Sequence, residues 1–575
     1  MGFPFTLPEH GYGNVVPSSV CDYNSFMKST MKKNCTILSF SLLLTLILAV
    51  PFFYSPLRFG ADTTYHINRI YELSEAIRNH DWYPAILFAQ NYHYGYGSPL
   101  FYSVFFLYLP ALLVLLGVPS VIAYKLLITL CTFFTVYFLQ KLLSRFTDNK
   151  AALLFGGALA IYNNYYLSDV FYRGALGEIM AFAVIPFLLD CTYQIFYEEK
   201  QESWLSLIFG FAALFLSHNL SFLIFVFVFA LLLLFHIKKW TAEKIGKLAL
   251  SAILALCLLA FYLVPMYRQL TLGIYRVSHY VNSAMGGETL QSLTSFSMEY
   301  VYVSSTCGLL LLTCPLLYFF VKHDYFTTAC QIIGYICLFL CTNLFPWDKF
   351  GFLSILQWPG RLMIPVIPLF AFTSGIAVSR LPQKKVSYVL LALTALYALY
   401  LGNGIFKYHG EIHNTDSHEQ LIDYRYYYPN STNTYWYNPN ELSTPDYLLE
   451  DAAINYEMNS RSVYRINDGF VANINNSYYN YLSFTPTEEG VYSIPYSYYL
   501  GYQIQVFTDG VYEKTVLPSV NTETGLLNVE VSDIKANQEY VVVYRRARIE
   551  KISFLISGGT LLLLAAGTIL TKKGL

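Results

Sequence analysis

Thirteen apolar runs, most of them about long enough to cross a bilayer as a helix, dominate this 575-residue chain and decide what it can fold into. They cover residues 34 to 54, 99 to 117, 119 to 140, 151 to 168, 175 to 197, 203 to 217, 220 to 237, 246 to 267, 303 to 321, 327 to 344, 362 to 379, 386 to 405 and 550 to 571. With 55% hydrophobic and 13% charged residues, the composition argues against a set of water-soluble domains and for a polytopic α-helical membrane protein.

Basic residues set the expected topology, because cytoplasmic loops carry the excess of lysine and arginine. Lys28, Lys32 and Lys33 place the N-terminus in the cytoplasm. If all thirteen runs crossed, the loop holding Lys141, Arg145 and Lys150 would lie outside. The run 99 to 117 contains Pro99 and Pro110 and is joined to the next by Val118 alone. Read as an interfacial or re-entrant helix on the outer side, it leaves about 12 transmembrane helices and both termini cytoplasmic. Lys200, Lys238, Lys239, Lys244, Lys322, Lys384, Lys385, Lys572 and Lys573 then all fall inside.

Four segments follow. Residues 1–33 form a cytoplasmic N-terminal piece without the apolar core of a cleavable signal, in which Met27 and Met31 are alternative starts. Residues 34–405 form the membrane domain, with a long first outer loop at 55–118. Residues 406–549 form an outer domain, and 550–575 the closing span and its tail. Phe406 to Tyr544 carries eighteen acidic and six basic side chains, a net charge of −12 that leaves +11 on the rest of the chain. A nucleic-acid partner is excluded by so little net basicity. The ten cysteines sit in or beside apolar runs and avoid the acidic segment, so neither a disulfide framework nor a metal site is expected.

The acidic segment opens on a Tyr- and Asn-rich stretch, then a helix-like piece that Ser443 or Thr444 could cap with Pro445 at its first position. Alternating runs at 462–467, 477–485, 490–499, 502–508, 511–517, 526–531 and 540–544 read as strands, with a hairpin turn at Asp509-Gly510. A small β-sandwich with a helix is the expected form.

The first outer loop carries the first candidate chemistry. If 62 to 78 is helical, Asp62, His66 and Arg69 share one face at i, i+4 and i+7. A carboxylate, an imidazole and a guanidinium so placed could take a proton from a hydroxyl and grip a phosphate. Equally, Asp62 could cap the helix while the other two are solvated.

This acidic residue after the first span, a surface helix, the Asp81-Trp82-Tyr83-Pro84 turn and the Pro99-Leu100-Phe101-Tyr102 segment together resemble the first loop of GT-C glycosyltransferases. A nearer resemblance is to the bacterial membrane family named "6-pyruvoyl-tetrahydropterin synthase-related" and to YfhO-like proteins. It runs through Asp62-x-x-x-His66-x-x-Arg69, Tyr172-Arg173-Gly174-Ala175-x-x-Glu178, Ser217-His218-Asn219 and Gln357-Trp358-Pro359-Gly360-Arg361 to the terminal sandwich and its closing span.

The resemblance implies a multi-pass protein of the bacterial plasma membrane with residues 406–549 extracytoplasmic. It further implies transfer of a sugar from a polyprenyl-phosphate donor, with inversion, to an envelope glycan, glycolipid or teichoic acid. Asp62 and His66 would be catalytic, and Arg69, Arg173, Glu178, His218 and Arg361 would hold the lipid phosphate or sugar. His93, Tyr94 and Tyr96 would line the cavity beside membrane lipids. Many GT-C members carry two adjacent acidic residues where this chain has Asp62-Thr63. No metal ligand is therefore assigned, and a divalent cation is left open.

Plain structural readings stand beside these: an Arg173–Glu178 ion pair, a polar helix end at His218, an anchor at Arg361, and aromatic packing at the interface. Two other functions also stand, a transporter or lipid flippase and a non-catalytic envelope assembly protein. Against transport, the polar motifs gather on one side and the inner halves of the spans hold almost no charge.

Overall fold

The computed structural model describes residues 20–54, 57–58, 62–88, 90–91, 93–278, 286–299, 306–414, 421–422, 446–450, 462–469 and 471–573, with side chains from 31 onward except at 57–58, 278, 384, 405–414, 421–422 and 569–573. The expected helix start at Ser443, Thr444 and Pro445 lies outside the described residues, as does most of the Tyr- and Asn-rich stretch.

Helix α1 (Val20–Tyr54) leads into α2 (Thr63–Arg78), which is not the surface helix expected, because thirteen of its sixteen residues are buried. The run 99 to 117 folds as two short helices, α3 (Ser98–Phe101) and α4 (Tyr108–Leu115), separated by a 3₁₀ turn. Pro99 and Pro110 suit such short pieces, and no single helix spans the run. The bundle continues with α5 (Ser120–Leu143), α6 (Lys150–Ile161), α7 (Asn164–Ser168), α8 (Leu176–Tyr193), α9 (Glu202–Ser217), α10 (Asn219–Phe235) and α11 (Ala242–Leu270). After α12 (Leu290–Met298) come α13 (Leu309–Thr313), α14 (Tyr325–Leu340), α15 (Met363–Arg380) and α16 (Lys384–Asn414), and the chain closes on α17 (Arg548–Lys573).

Among the described residues, seven helices are long and apolar enough to cross a membrane: those within α1, α5, α8, α11, α15, α16 and α17. The other five expected spans are shorter apolar helices, such as α6 with 12 residues and α14 with 16. One cause of shortening is local. The run 151 to 168 breaks at Tyr162, where the Asn163 side chain accepts the Tyr166 N–H at 2.9 Å and restarts the helix as α7. Every side chain of α15 from Met363 to Val378 is buried, which makes this helix the centre of the bundle. A Cβ on Gly156 of α6 would stand 3.2 Å from the Ala371 carbonyl oxygen of α15, so a missing side chain sets their close approach.

The terminal domain is a sandwich of antiparallel sheets. Beyond the short pair β1 (Leu57–Arg58) and β2 (Leu421–Ile422), its strands are β3 (Tyr464–Arg465), β4 (Asn473–Tyr478), β5 (Tyr481–Thr485), β6 (Gly490–Ser497), β7 (Tyr502–Thr508), β8 (Val511–Val516), β9 (Ser519–Val520), β10 (Leu526–Val531) and β11 (Gln538–Tyr544). One sheet runs β3-β6-β10-β9 and the other β4-β5-β11-β7-β8. Asp509 and Gly510 turn between β7 and β8 with φ of 49° and 76°, the left-handed pair that a two-residue hairpin needs. The run 477–485, expected as one strand, is a hairpin instead, because Tyr479 and Asn480 form the turn between β4 and β5.

Two ends of the bundle differ in chemistry. At one, Lys33 pairs with Asp148 at 2.9 Å, Arg380 with Asp324 at 2.7 Å, and Arg145 forks onto Asp190 and Glu198. Asp190 is a buried carboxylate of α8, so the helix ends on this side hold more charge than the sequence reading allowed. At the other end the first loop, α3 and the sandwich pack together: Ala85, Ile86, Phe88, Leu100 and Phe101 share one apolar core with strand residues such as Ile504 and Val542. Gln269 of α11 fixes the sandwich to the bundle, exchanging two hydrogen bonds with Leu500 at 2.9 and 3.1 Å.

Candidate functional site

Asp62 stands just before α2 with φ −120° and ψ −10°, and its side chain makes no capping hydrogen bond. Its placement is fixed through the backbone, since its N–H donates to the Arg173 carbonyl at 3.0 Å. Arg173 closes a π-helical turn at Asp169–Arg173 that Gly174 ends in the left-handed region, φ 67°. A Cβ on Gly174 would sit 2.8 Å from the Thr63 backbone nitrogen, so only glycine lets this turn approach the start of α2. Burial pushes the Asp62 carboxyl up to about 6, against the downward pull of Arg173; Glu178 and Asp446 push the same way as burial and Arg361 opposes them.

Behind Asp62 lies a charged cluster. Glu178, buried in the first turn of α8, accepts from Arg173 on both carboxylate oxygens at 3.2 Å, from Arg361 Nε at 3.2 Å, and from the Tyr165 hydroxyl at 2.6 Å. Arg173 also donates to Asp169 at 2.7 Å, and its guanidinium lies over the rings of Tyr165 and Trp358. Arg361 donates as well to the Leu356 carbonyl, at 3.2 Å, and to the Gln357 side chain. Burial and the neighbouring Glu178 hold the Asp169 carboxyl well above its usual range, and its Oδ2 is buried with no partner among the described residues. With Asp169 shifted toward its protonated form, Glu178 is the chief anion between Arg173 and Arg361, and the Asp62 carboxyl lies within the electrostatic reach of both.

The α2 residues divide. His66 and Arg69 gather on Tyr102 and not on the acidic cluster: the His66 ring lies 5.8 Å and the Arg69 guanidinium 4.5 Å from the Tyr102 ring centre. Arg69, expected to face a phosphate, is fully buried and donates from Nη2 to the carbonyls of Tyr102 and Ser103 at 2.7 and 2.8 Å. It clamps the segment after α3 onto α2. Burial, with Arg69 and His218 adding to it, keeps the His66 imidazole neutral. The Tyr102 ring is 6.0 Å from that of His218, and a Cβ on Gly177 would fall 1.9 Å from its hydroxyl.

His218 caps α10, accepting the Ser221 N–H at 3.3 Å, while its electrostatic neighbours include Glu178, Arg361 and Arg173. His93 is exposed with φ 65°, and Tyr94 and Tyr96 are buried in a turn that Leu87 and Tyr96 close with bonds of 2.9 and 3.0 Å. That turn docks on the sandwich, the Tyr94 carbonyl accepting the Ser497 N–H at 2.7 Å. Tyr96 also packs with Tyr65 and Leu448, so it approaches the α2 residues from the sandwich side.

The structure adds Asp169, Tyr165, Tyr102, Trp358 and Asp446 to the site. Asp169 stands four residues before Arg173, a spacing visible in the sequence; Asp446, 384 residues after Asp62, left no such signal. Among the described residues, no three His, Cys, Asp or Glu side chains converge as a metal site.

Comparison with known protein families finds no match. An uncharacterized protein of Lactococcus lactis subsp. cremoris (strain MG1363) is 26% identical over 247 residues, which are 41% of this chain and 40% of that relative's length. The crystal structure of ArnT from Cupriavidus metallidurans bound to undecaprenyl phosphate is similar over 67% of each chain, with 14% identity and a TM-score of 0.44. A score below 0.5 does not establish a common fold, and none of the chemistry at Asp62 rests on it. Neither comparison bears the name of the 6-pyruvoyl-tetrahydropterin synthase-related or YfhO-like families.

Proposed function

We propose that this chain is a GT-C-type membrane glycosyltransferase that moves a sugar from a polyprenyl-phosphate donor to a cell-envelope acceptor on the outer face. The observation that carries the reading is Asp62: a carboxyl without a capping bond, raised to about 6, beside Arg173 and Arg361. A base poised near neutrality can accept a proton in the transition state, and guanidinium groups can hold a phosphate.

In the proposed reaction the acceptor oxygen attacks the anomeric carbon and the bond from that carbon to the phosphate oxygen breaks. The hydroxyl proton passes to Asp62, and the leaving polyprenyl phosphate takes the electron pair. Once Asp62 is protonated, the cluster of Arg173, Arg361 and Glu178 carries a net positive charge beside the departing phosphate. The neutral His66 imidazole can orient the sugar or the acceptor, while Arg69 and Tyr102 position it. The basic bundle end, with Lys33, Arg145 and Arg380, would face the cytoplasm and the sandwich the exterior.

The test is to incubate the purified full chain with labelled polyprenyl-phosphate sugars and membrane acceptors and to determine the anomeric configuration of the product. Transfer with inversion is expected. Transfer with retention, or no transfer from any polyprenyl-phosphate sugar, would overturn the proposal.

A further inference from the structure

A second polar site lies away from Asp62, between the end of α2 and the sandwich, where a cavity of about 240 Å³ is lined by His80, Asp81, Tyr83, Asn480, Tyr544 and Arg546. Its arginine is held in place. Arg546 donates from Nη2 to the Tyr83 carbonyl at 2.8 Å, and its guanidinium lies over the rings of Tyr83 and Phe554. Yet Nη1 of Arg546 and the hydroxyl of Tyr544 are buried with no partner among the described residues. A buried donor left unpaired costs roughly 1 to 3 kcal/mol, so two of the residues lining the cavity hold hydrogen-bonding capacity that the described residues do not use.

The backbone gives an independent pointer. His80 has φ 63°, and its N–H donates to Ile77 at 3.0 Å while that of Asp81 donates to Ala76 at 2.9 Å. This is the Schellman ending of a helix, whose left-handed residue is ordinarily glycine because a side chain there costs about 1 to 2 kcal/mol. An exposed imidazole at the cavity rim, where glycine would fold more easily, points to a role outside the cap.

Charge and size select the ligand. Asp81 is an electrostatic neighbour of Arg546, so the cavity is close to neutral and its carboxylate opposes a phosphate. Hydroxyl groups, which both donate and accept, suit the mixture of guanidinium, carboxylate, amide and phenol. Tyr83 and Tyr544 add aromatic surface to the lining, as sugar sites commonly do. The volume falls below the roughly 300 to 1,000 Å³ of cavities that hold drug-sized ligands, so one ring fills it.

We propose that this cavity binds a single neutral sugar residue of a glycan, at a place separate from Asp62 and independent of any transfer there. The experiment is saturation-transfer NMR on the full chain in lipid nanodiscs, with methyl glucoside, methyl galactoside and methyl N-acetylglucosaminide as probes and inorganic phosphate as competitor. At least one glycoside is expected to bind. Asn480→Ala, an exposed position, should weaken it about tenfold, the effect of one or two lost hydrogen bonds. His80→Gly should weaken it too while leaving the melting temperature equal or higher, a combination that a purely structural role does not give. Phosphate should not compete, and Asp62→Asn should bind the glycoside as before, which separates this site from the transferase proposal. Absence of binding by every glycoside, unchanged binding in both Asn480→Ala and His80→Gly, displacement by phosphate, or loss of binding in Asp62→Asn would overturn it.

Discussion

Arg361 and Glu178, 183 residues apart in the chain, meet at 3.2 Å on the same carboxylate oxygen that accepts from Arg173 at 3.2 Å. Three elements are tied at that atom: the π-turn before α8, the first turn of α8 and the 3₁₀ turn before α15. Removing the carboxylate leaves two arginines, each nearly buried, without their shared anion. Glu178→Ala is expected to lower stability by about 3 to 5 kcal/mol, as breaking a buried pair does, and Glu178→Gln by less because it can still accept. Thermal unfolding of both variants in detergent checks this, and equal melting temperatures would contradict it.

Protonation of Asp62 gives a second prediction. Its folded value of about 6 exceeds the ordinary 3.8, so the folded chain binds this proton more tightly than the unfolded one. The stability it contributes is present below about pH 4 and is lost as pH rises through 6. Melting temperatures of wild type and Asp62→Asn across that window isolate the effect: wild type should fall relative to the variant as pH rises, then run parallel above 7. Parallel curves throughout would show that the carboxyl is not perturbed.

Gly174→Ala tests the contact that places Asp62. A side chain at φ 67° costs about 1 to 2 kcal/mol, and the new Cβ would press on the Thr63 backbone, which cannot swing aside as a side chain can. The variant should melt lower and lose transfer activity together, because Arg173 and Asp62 would separate. Retained activity at a lower melting temperature would show that the approach of the two segments matters only for folding.

Arg69→Lys distinguishes a clamp from a phosphate ligand. An ammonium cannot fork onto the two carbonyls of Tyr102 and Ser103 or cover the Tyr102 ring as a guanidinium does. A stability loss of about 2 kcal/mol is expected. The KM for the lipid donor should stay unchanged in the protein that folds; a raised KM would return Arg69 to the phosphate.

Much of the site could be read in the sequence because its charged residues sit in compact motifs. Arg173 and Glu178 are five residues apart, so either reading, ion pair or ligand, brought them together. The structure joins them, and adds Arg361 from a third motif. What spacing could not decide was the partner of each α2 residue. The i, i+4, i+7 rule fixes angles around a helix, but Asp62 stands outside it as the residue before α2 and is tied by its backbone to Arg173, while His66 and Arg69 turn toward Tyr102. Span lengths were also hidden. Asn163 restarts a helix inside the run 151 to 168, because a hydropathy average over the run hides the one side-chain oxygen that caps a new helix. In the sandwich, Asp509-Gly510 announced its turn, whereas Tyr479-Asn480 did not, having neither glycine nor proline.

The most direct measurement is sugar transfer by membranes holding equal amounts of wild type and Asp62→Asn, with a labelled polyprenyl-phosphate sugar as donor. The amide removes the base, and no capping hydrogen bond is lost. The rate should fall about 10²- to 10⁴-fold, with membrane insertion intact. Full transfer activity in Asp62→Asn would contradict the assignment of Asp62 as the base.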